Sequence, residues 1–201
     1  IQPIDKGGKA YRIVNDNDAS GNEYFMMENI QQTGWNEQQR GHGLLIYHVN
    51  YDSYLFSLTA NAVNNIKGKP RMTVVPADGL LNSSYVETNR DKLFAQYNGD
   101  AFPGTSGIHT FNDAMNLPNI KPYHGSKWDK SLTGITEDTH SGLVTFNFIK
   151  GTSTAIDMPT TGNDVENDRR IFTLDGRYMG TDITRLLKGI YIRNKEKIVI
   201  P

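Results

Sequence analysis

The sequence predicts a mainly β protein: an antiparallel sheet or sandwich with long loops and little helix, plus a small C-terminal β-hairpin unit. Three observations lead there. Two short apolar runs, 24–29 and 44–50, flank a polar connection punctuated by Gly34, Gly41 and Gly43, as paired strands do. The second run is apolar on both alternations. Leu44, Ile46 and His48 point one way and Leu45, Tyr47 and Val49 the other, so this pair is expected at the centre of a sheet covered on both faces. Finally, residues 151–168 combine Thr, Ser, Gly, Pro, Asn and Asp with almost nothing to bury, which reads as a linker to a separate small unit.

Taken in order, Gly7-Gly8 marks a loop and residues 10–14 alternate as a strand. The polar stretch 15–22 turns the chain into the Tyr24 strand, so the first two strands should form a hairpin. Between 51 and 69, Leu55, Leu58, Ala62, Val63 and Ile66 recur near helical spacing, while Asn64-Asn65 and Gly68 restrict this to about two turns of helix inside a loop. Residues 71–77 form another strand. The segment 78–131 is irregular, anchored by Leu93, Phe94, Phe102, Phe111 and Trp128. A stretch of that length without elements signals either an unrecognised element or functional loops. Residues 132–136 and 143–149 make a hairpin. Beyond the linker, 171–178 contains a strand, an Asp-Gly turn and a returning strand, and 186–194 pairs with 197–200. The expected organisation is a β-rich domain at 1–150, a linker at 151–168 and a small β unit at 169–201.

Composition narrows the function. The chain has 201 residues, enough for one substantial core, and a net charge of −1. With a pI of 6.6, nothing favours a nucleic-acid or anionic-membrane partner. The basic residues at 193–197 are interrupted by Asn194 and Glu196 and read as a solvated hairpin face. No apolar run approaches the ~20 residues of a membrane span. The absence of cysteine excludes disulfides, thiolate zinc sites and cysteine nucleophiles. The first residues lack a signal-peptide pattern, so a secreted product is expected to be a piece of a longer precursor.

For catalysis, the histidines decide. A zinc peptidase of the His-Glu-x-x-His type needs two imidazoles one helical turn apart with a carboxylate beside the first. His42, His48, His109, His124 and His140 include no such pair, so this chain alone is expected to be inactive and no catalytic residue is assigned. Gly104-Thr105-Ser106-Gly107 is one residue short of a nucleophile elbow, and no phosphate-cradling glycine loop occurs. His48 is placed near Glu28 and Asn29 by the expected strand pairing. These three are candidates for supporting a site supplied from upstream, although a hydrogen-bonded buried histidine that fixes strand register carries more weight. Asp16-Asn17-Asp18-Ala19-Ser20-Gly21 resembles the first half of a calcium loop, with Asp16, Asp18 and Glu23 as possible ligands. Met27 falls where the closing carboxylate belongs, and a plain Asn/Asp/Gly turn is the stronger reading. Among the loop aromatics, Trp35, Tyr54 and Trp128 are candidates to stack on a sugar or peptide, against the alternative that they cover a core edge.

The string Glu23-Tyr24-Phe25-Met26-Met27-Glu28-Asn29-Ile30-Gln31-Gln32-Thr33-Gly34-Trp35-Asn36, followed by Gly41-His42-Gly43-Leu44-Leu45-Ile46-Tyr47-His48-Val49-Asn50-Tyr51-Asp52, resembles a segment of the immune-inhibitor-A-type secreted zinc metallopeptidases, downstream of their zinc-binding helix. The resemblance continues more thinly through 71–79 and through Asp100-Ala101-Phe102-Pro103-Gly104, and covers roughly residues 10–150. Ile30 and Asn50 stand where Arg and Asp are more usual. The resemblance implies that the full-length protein hydrolyses peptide bonds with zinc and that this chain is its non-catalytic C-terminal portion, partnered by an upstream catalytic portion. The alternative is a secreted β module that binds glycan or a protein surface. The tail, with Leu174-Asp175-Gly176-Arg177 before Leu187-Lys188-Gly189-Ile190-Tyr191-Ile192, resembles the end of sorting domains on cargo of the type IX secretion system. It implies a secreted or cell-surface product recognised by secretion machinery.

Limited proteolysis is expected to cut first within 151–168 and release a resistant fragment ending near residue 150. First cuts elsewhere, with 151–168 intact, would contradict the boundary.

Overall fold

The computed structural model describes residues 1–82, 86–151, 170–174, 178–193 and 196–200. It divides into two compact units, Ile1–Ser153 and Thr154–Pro201. The expected linker, apart from Gly151, and the expected Asp175-Gly176 turn lie outside the described residues.

In the first unit, β1 (Tyr11–Val14), β2 (Glu23–Ile30), β3 (Gly43–Asn50) and β4 (Met72–Val74) form one antiparallel sheet in the order β1-β2-β3-β4. As expected from their two-sided apolar pattern, β2 and β3 are its central strands. Tyr24 pairs with Val49, Phe25 with His48 and Met27 with Ile46. One face therefore carries Ile13, Phe25, Met27, Leu44 and Ile46. That face is the core side: these residues form one buried cluster with Phe102, Phe111, Ile120, Trp128 and the hairpin residues Leu132, Ile135 and Val144. The hairpin is β5 (Lys130–Asp138) with β6 (Leu143–Lys150), its register shifted between Thr133 and Thr136. The opposite, back face of the sheet holds a smaller cluster of Ile30, Leu45 and Ala101, with Tyr47 and Val74 packed against it.

Segment 101–104 is stitched to the sheet through Leu44 and Phe102, which exchange backbone hydrogen bonds of 2.7 and 2.9 Å. The approach is close enough that a Cβ on Gly43, itself at φ 117°, would sit 2.7 Å from the Phe102 carbonyl oxygen. Only glycine fits there.

Three expectations are corrected. Residues 51–69 contain turns and no helix. The Asp52 carboxylate accepts the Tyr54 and Leu55 amides at 3.0 and 2.9 Å, Asn61 takes φ 43°, and Leu58 is fully exposed, so the apolar spacing never becomes a buried stripe. The strand expected over 71–77 is only Met72–Val74. Val75 still donates to Ile46 at 2.8 Å, but Pro76 has no amide to continue the ladder. The irregular stretch holds a nine-residue helix, α1 (Arg90–Asn98), capped by the Asn89 side chain, which accepts from the amides of Asp91 and Lys92. Its buried residues are Leu93 and Gln96, a polar group on the inward stripe that hides the helical period.

In the second unit, β7 (Ile171–Thr173), β8 (Tyr178–Gly180), β9 (Gly189–Arg193) and β10 (Glu196–Ile200) make an antiparallel sheet in the order β10-β9-β7-β8, with Ile171 and Tyr191 buried. Among the described residues the protein is mainly β with one α-helix, and no helix is long and apolar enough to cross a membrane.

Phe25 is 1% exposed and lies 3.8 Å, centroid to centroid, from Trp128. Phe25→Ala is expected to lower stability by about 3–5 kcal/mol in urea unfolding, and Tyr11→Ala, on the exposed edge strand, by about 0.5 kcal/mol or less.

Candidate functional site

The chemistry of the first unit concentrates where β2 begins. Glu23, the first residue of β2, is fully buried, and the strand's alternation turns its side chain to the core face. There it receives five donors. Asn15 Nδ2 lies 2.8 Å away, His48 Nε2 2.9 Å, the His124 amide 2.9 Å and His124 Nδ1 2.8 Å, with the Tyr123 amide on the same carboxylate. Burial alone pushes its carboxyl upward from the ordinary 4.5. The hydrogen bonds from His48, Tyr123, Asn15 and His124 outweigh burial and hold it at about 2.

His48, 1% exposed, sits on β3 opposite Phe25 and diagonal to Glu23. Its Nδ1 meets the Asn119 carbonyl at 2.8 Å. A carbonyl only accepts and Glu23 is ionised, so both ring nitrogens must donate and His48 is an imidazolium. The pair is thus a buried ion pair, 2.9 Å apart. Tyr123 stacks on the His48 ring at 4.9 Å and Trp128 meets it edge-on at 5.3 Å. The loop that supplies Asn119, Tyr123 and His124 is tied to the sheet again by Asn119 Nδ2, donating to Thr73 Oγ1 and the Val74 carbonyl at 3.1 Å each, and by the Tyr123 hydroxyl on the Pro70 carbonyl at 2.6 Å.

A second polar cluster lies at the other end of β2. Asn29, fully buried, donates to the carbonyls of Ile1 and Gly142 at 2.8 and 2.6 Å and accepts from Gln31 at 2.9 Å. Gln31 and His42 both reach Glu137, at 2.7 and 2.8 Å. Asn29 accordingly joins the N-terminal segment to the β5–β6 turn.

The expected site residues fall out as follows. The carboxylate partner of His48 is Glu23, not Glu28. Register places His48 opposite Phe25, so odd-numbered β2 residues share its face. Glu28 lies on the back face, where it accepts the Tyr47 hydroxyl at 3.1 Å. The three suggested calcium ligands do not converge. Asp16 pairs with Lys130 at 2.7 Å. Asp18 closes the turn, with Ser20 Oγ at 2.7 Å and the Asn22 and Glu23 amides at 2.9 and 2.7 Å, and the Ser20 hydroxyl first among these holds it at about 2. Glu23 points into the core. Trp128, a candidate ligand contact with core cover as its alternative, is core: 2% exposed, with its indole N–H on the Ile120 carbonyl at 2.7 Å. Trp35 and Tyr54 are exposed, Trp35 completely, and it lines an open depression of about 350 Å³ with Gly34, Glu37 and Gln38. His109 Nδ1 lies 2.6 Å from the Ile135 carbonyl, and among the described residues no group of three or more His, Cys, Asp or Glu side chains is arranged to hold a metal ion.

Asn15, Tyr123 and His124 were not singled out by the sequence. Asn15 lies 8 residues before Glu23, but Tyr123 and His124 lie 100 and 101 residues after it, and only the alternation of β2, which makes Glu23 an inward carboxylate, hints that distant donors must exist. The known protein-family models, curated proteins and solved structures compared with this chain give no match.

Glu23→Gln leaves the His48 cation without its counter-charge and is expected to destabilise by about 3–5 kcal/mol at pH 7. Because the Glu23 carboxyl is depressed from 4.5 to about 2, its stabilisation is complete above 4.5 and is lost as pH falls toward 2. Urea unfolding of wild type and variant should therefore diverge at pH 7 and converge near pH 2.5; a gap independent of pH would contradict the ion pair.

Proposed function

We propose that the first unit is the non-catalytic framework of a secreted zinc-metallopeptidase-like protein, whose hydrolytic centre is supplied by an upstream portion of the same precursor. One observation carries this reading: the four separate stretches that resemble the peptidase family meet at one place in space. Residues 24–30 and 43–50 are the two central strands. Residues 71–79 contribute β4 and then pass to the 99–100 backbone through Ala77 and Asp78, whose amides donate to the carbonyls of Asp100 and Gly99 at 3.0 and 3.1 Å. Residues 100–104 return to β3 through Leu44 and Phe102. Stretches far apart in sequence that build one contiguous substructure behave as a unit of framework rather than as chance similarities. The ion pair supports the same role. An imidazolium whose two nitrogens both donate has no lone pair for a metal, so His48 serves the architecture.

On this reading zinc belongs to the upstream portion, and no residue of this chain is a zinc ligand. The tail unit, with its own sheet, is the sorting appendage that hands the precursor to the secretion machinery and places the product outside the cell or on its surface.

A second reading is favoured by Trp35. An indole left wholly in water on a hydrogen-bonded turn, with Asn36 donating to Thr33 at 2.9 Å and Thr33 Oγ1 to Asp5 at 2.6 Å, suits a module that stacks on glycan or a protein surface.

The gene upstream of residue 1 is expected to encode His-Glu-x-x-His, and the present chain to give no chelator-sensitive turnover of an internally quenched peptide. Turnover by this chain alone overturns the framework reading. A signal peptide directly before residue 1, with no such helix, replaces it with the binding module.

A further inference from the structure

The back face of the sheet holds a cavity that neither polar cluster uses. It encloses about 200 Å³ between β3, β4, the end of α1 and the 39–40 segment. Ile30, Leu45 and Val74 give it apolar walls, Tyr47 and Tyr97 aromatic ones, and Asp100 a carboxyl. Oδ1 of Asp100 is buried with no hydrogen-bond partner among the described residues. Buried polar atoms normally have partners, and an orphan at the wall of a cavity is the kind that a ligand satisfies.

The sign of that ligand follows from the charges around it. Three carboxylates act on this region. Glu28 holds the Tyr47 hydroxyl, Asp78 raises Asp100, and Glu28 and Asp100 both act, after burial, to raise the Tyr47 phenol. Arg40 is the cation at the wall, and its guanidinium lies 3.9 Å over the Phe94 ring of α1, held by the helix. An anion would add to the repulsion from Asp78, which after the larger effect of burial pushes the Asp100 carboxyl up to about 7. A cation relieves it. The volume is below the ~300–1,000 Å³ of sites for drug-sized ligands and matches a single side chain.

We propose that this cavity binds a primary alkylammonium group, the head carried by a lysine side chain or a free aliphatic amine, with Asp100 as counter-charge and Ile30, Leu45 and Val74 around the methylene stem. Apolar walls take the stem as they take any buried methylene, and the ammonium donates to the carboxylate oxygen that otherwise has no donor. The proposal does not rest on the framework reading.

The probes are n-butylamine, a short peptide with one central lysine, and butyrate, each titrated into the ¹⁵N-labelled full chain. Saturable shifts with butylamine or the peptide, centred on the amides of Leu45, Tyr47, Val74 and Tyr97, are expected, together with none from butyrate. The tighter of the two amine probes identifies the source, peptide or free amine. Asp100→Asn should weaken binding about tenfold or more while leaving the melting temperature and the remaining spectrum intact. No saturation by either amine, shifts centred elsewhere, unchanged affinity in Asp100→Asn, or stronger binding of butyrate overturns the proposal. Should Asp100→Asn fail to fold, the wild-type shift map and the butyrate comparison decide it alone.

Discussion

The first unit depends on one costly contact, the ion pair between Glu23 and His48. Removing a carboxylate and an imidazolium from water costs several kcal/mol per ion, and attraction between them offsets this only when every remaining lone pair and proton is used. Here each is used. Asn15, Tyr123 and His124 complete the carboxylate, and Asn119 takes the second imidazole proton. Satisfying those groups forces a long segment without regular structure to lie in one position on the sheet. Phe25, Trp128 and Tyr123 then pack around the cation. Apolar burial supplies most of the favourable free energy of such a core, but it is not directional. The ion pair supplies direction, because a loop displaced by even one residue would strand two charges in the interior.

Much of the sheet was legible in the sequence. Where a strand is apolar on both alternations, as at Leu44 to Val49, burial on both faces leaves little choice, and the β1–β2, β2–β3 and β5–β6 pairings all follow from short-range patterns. The helix at Arg90–Asn98 was not legible, because Gln96 occupies the inward stripe and bonds the Asn82 amide at 2.7 Å in place of packing. Its end signals were present all the same: Asn89 before the first turn and Gly99 after the last. The partner of His48 was misplaced because the choice between Glu23 and Glu28 rests on register parity, which composition does not carry. Trp128 was read as a loop aromatic since its neighbours are polar. Its burial depends on Phe25 and Ile120 arriving from elsewhere.

The two faces of the first sheet are built to different standards. On the core face the polar groups are closed into networks, Glu23 with His48 and Asn29 with Gly142. On the back face Tyr47 and Val74 are only partly covered, Asp100 keeps an oxygen without a partner among the described residues, and Arg40 leans on Phe94. The core face is thus a completed interior, whereas the back face holds polar groups with bonding capacity still to use among the described residues.

Three of the five donors that close Glu23, those of Tyr123 and His124, come from positions 100 and 101 residues farther along the chain. Hairpin pairing of β1, β2 and β3 requires only short loops, whereas bringing 119–124 home closes a loop of about a hundred residues and costs correspondingly more chain entropy. Until that segment lands, both charges remain hydrated on an otherwise assembled sheet. Dehydration of the salt link is therefore expected late in folding, and during synthesis it must wait until the ribosome has released the whole distal segment.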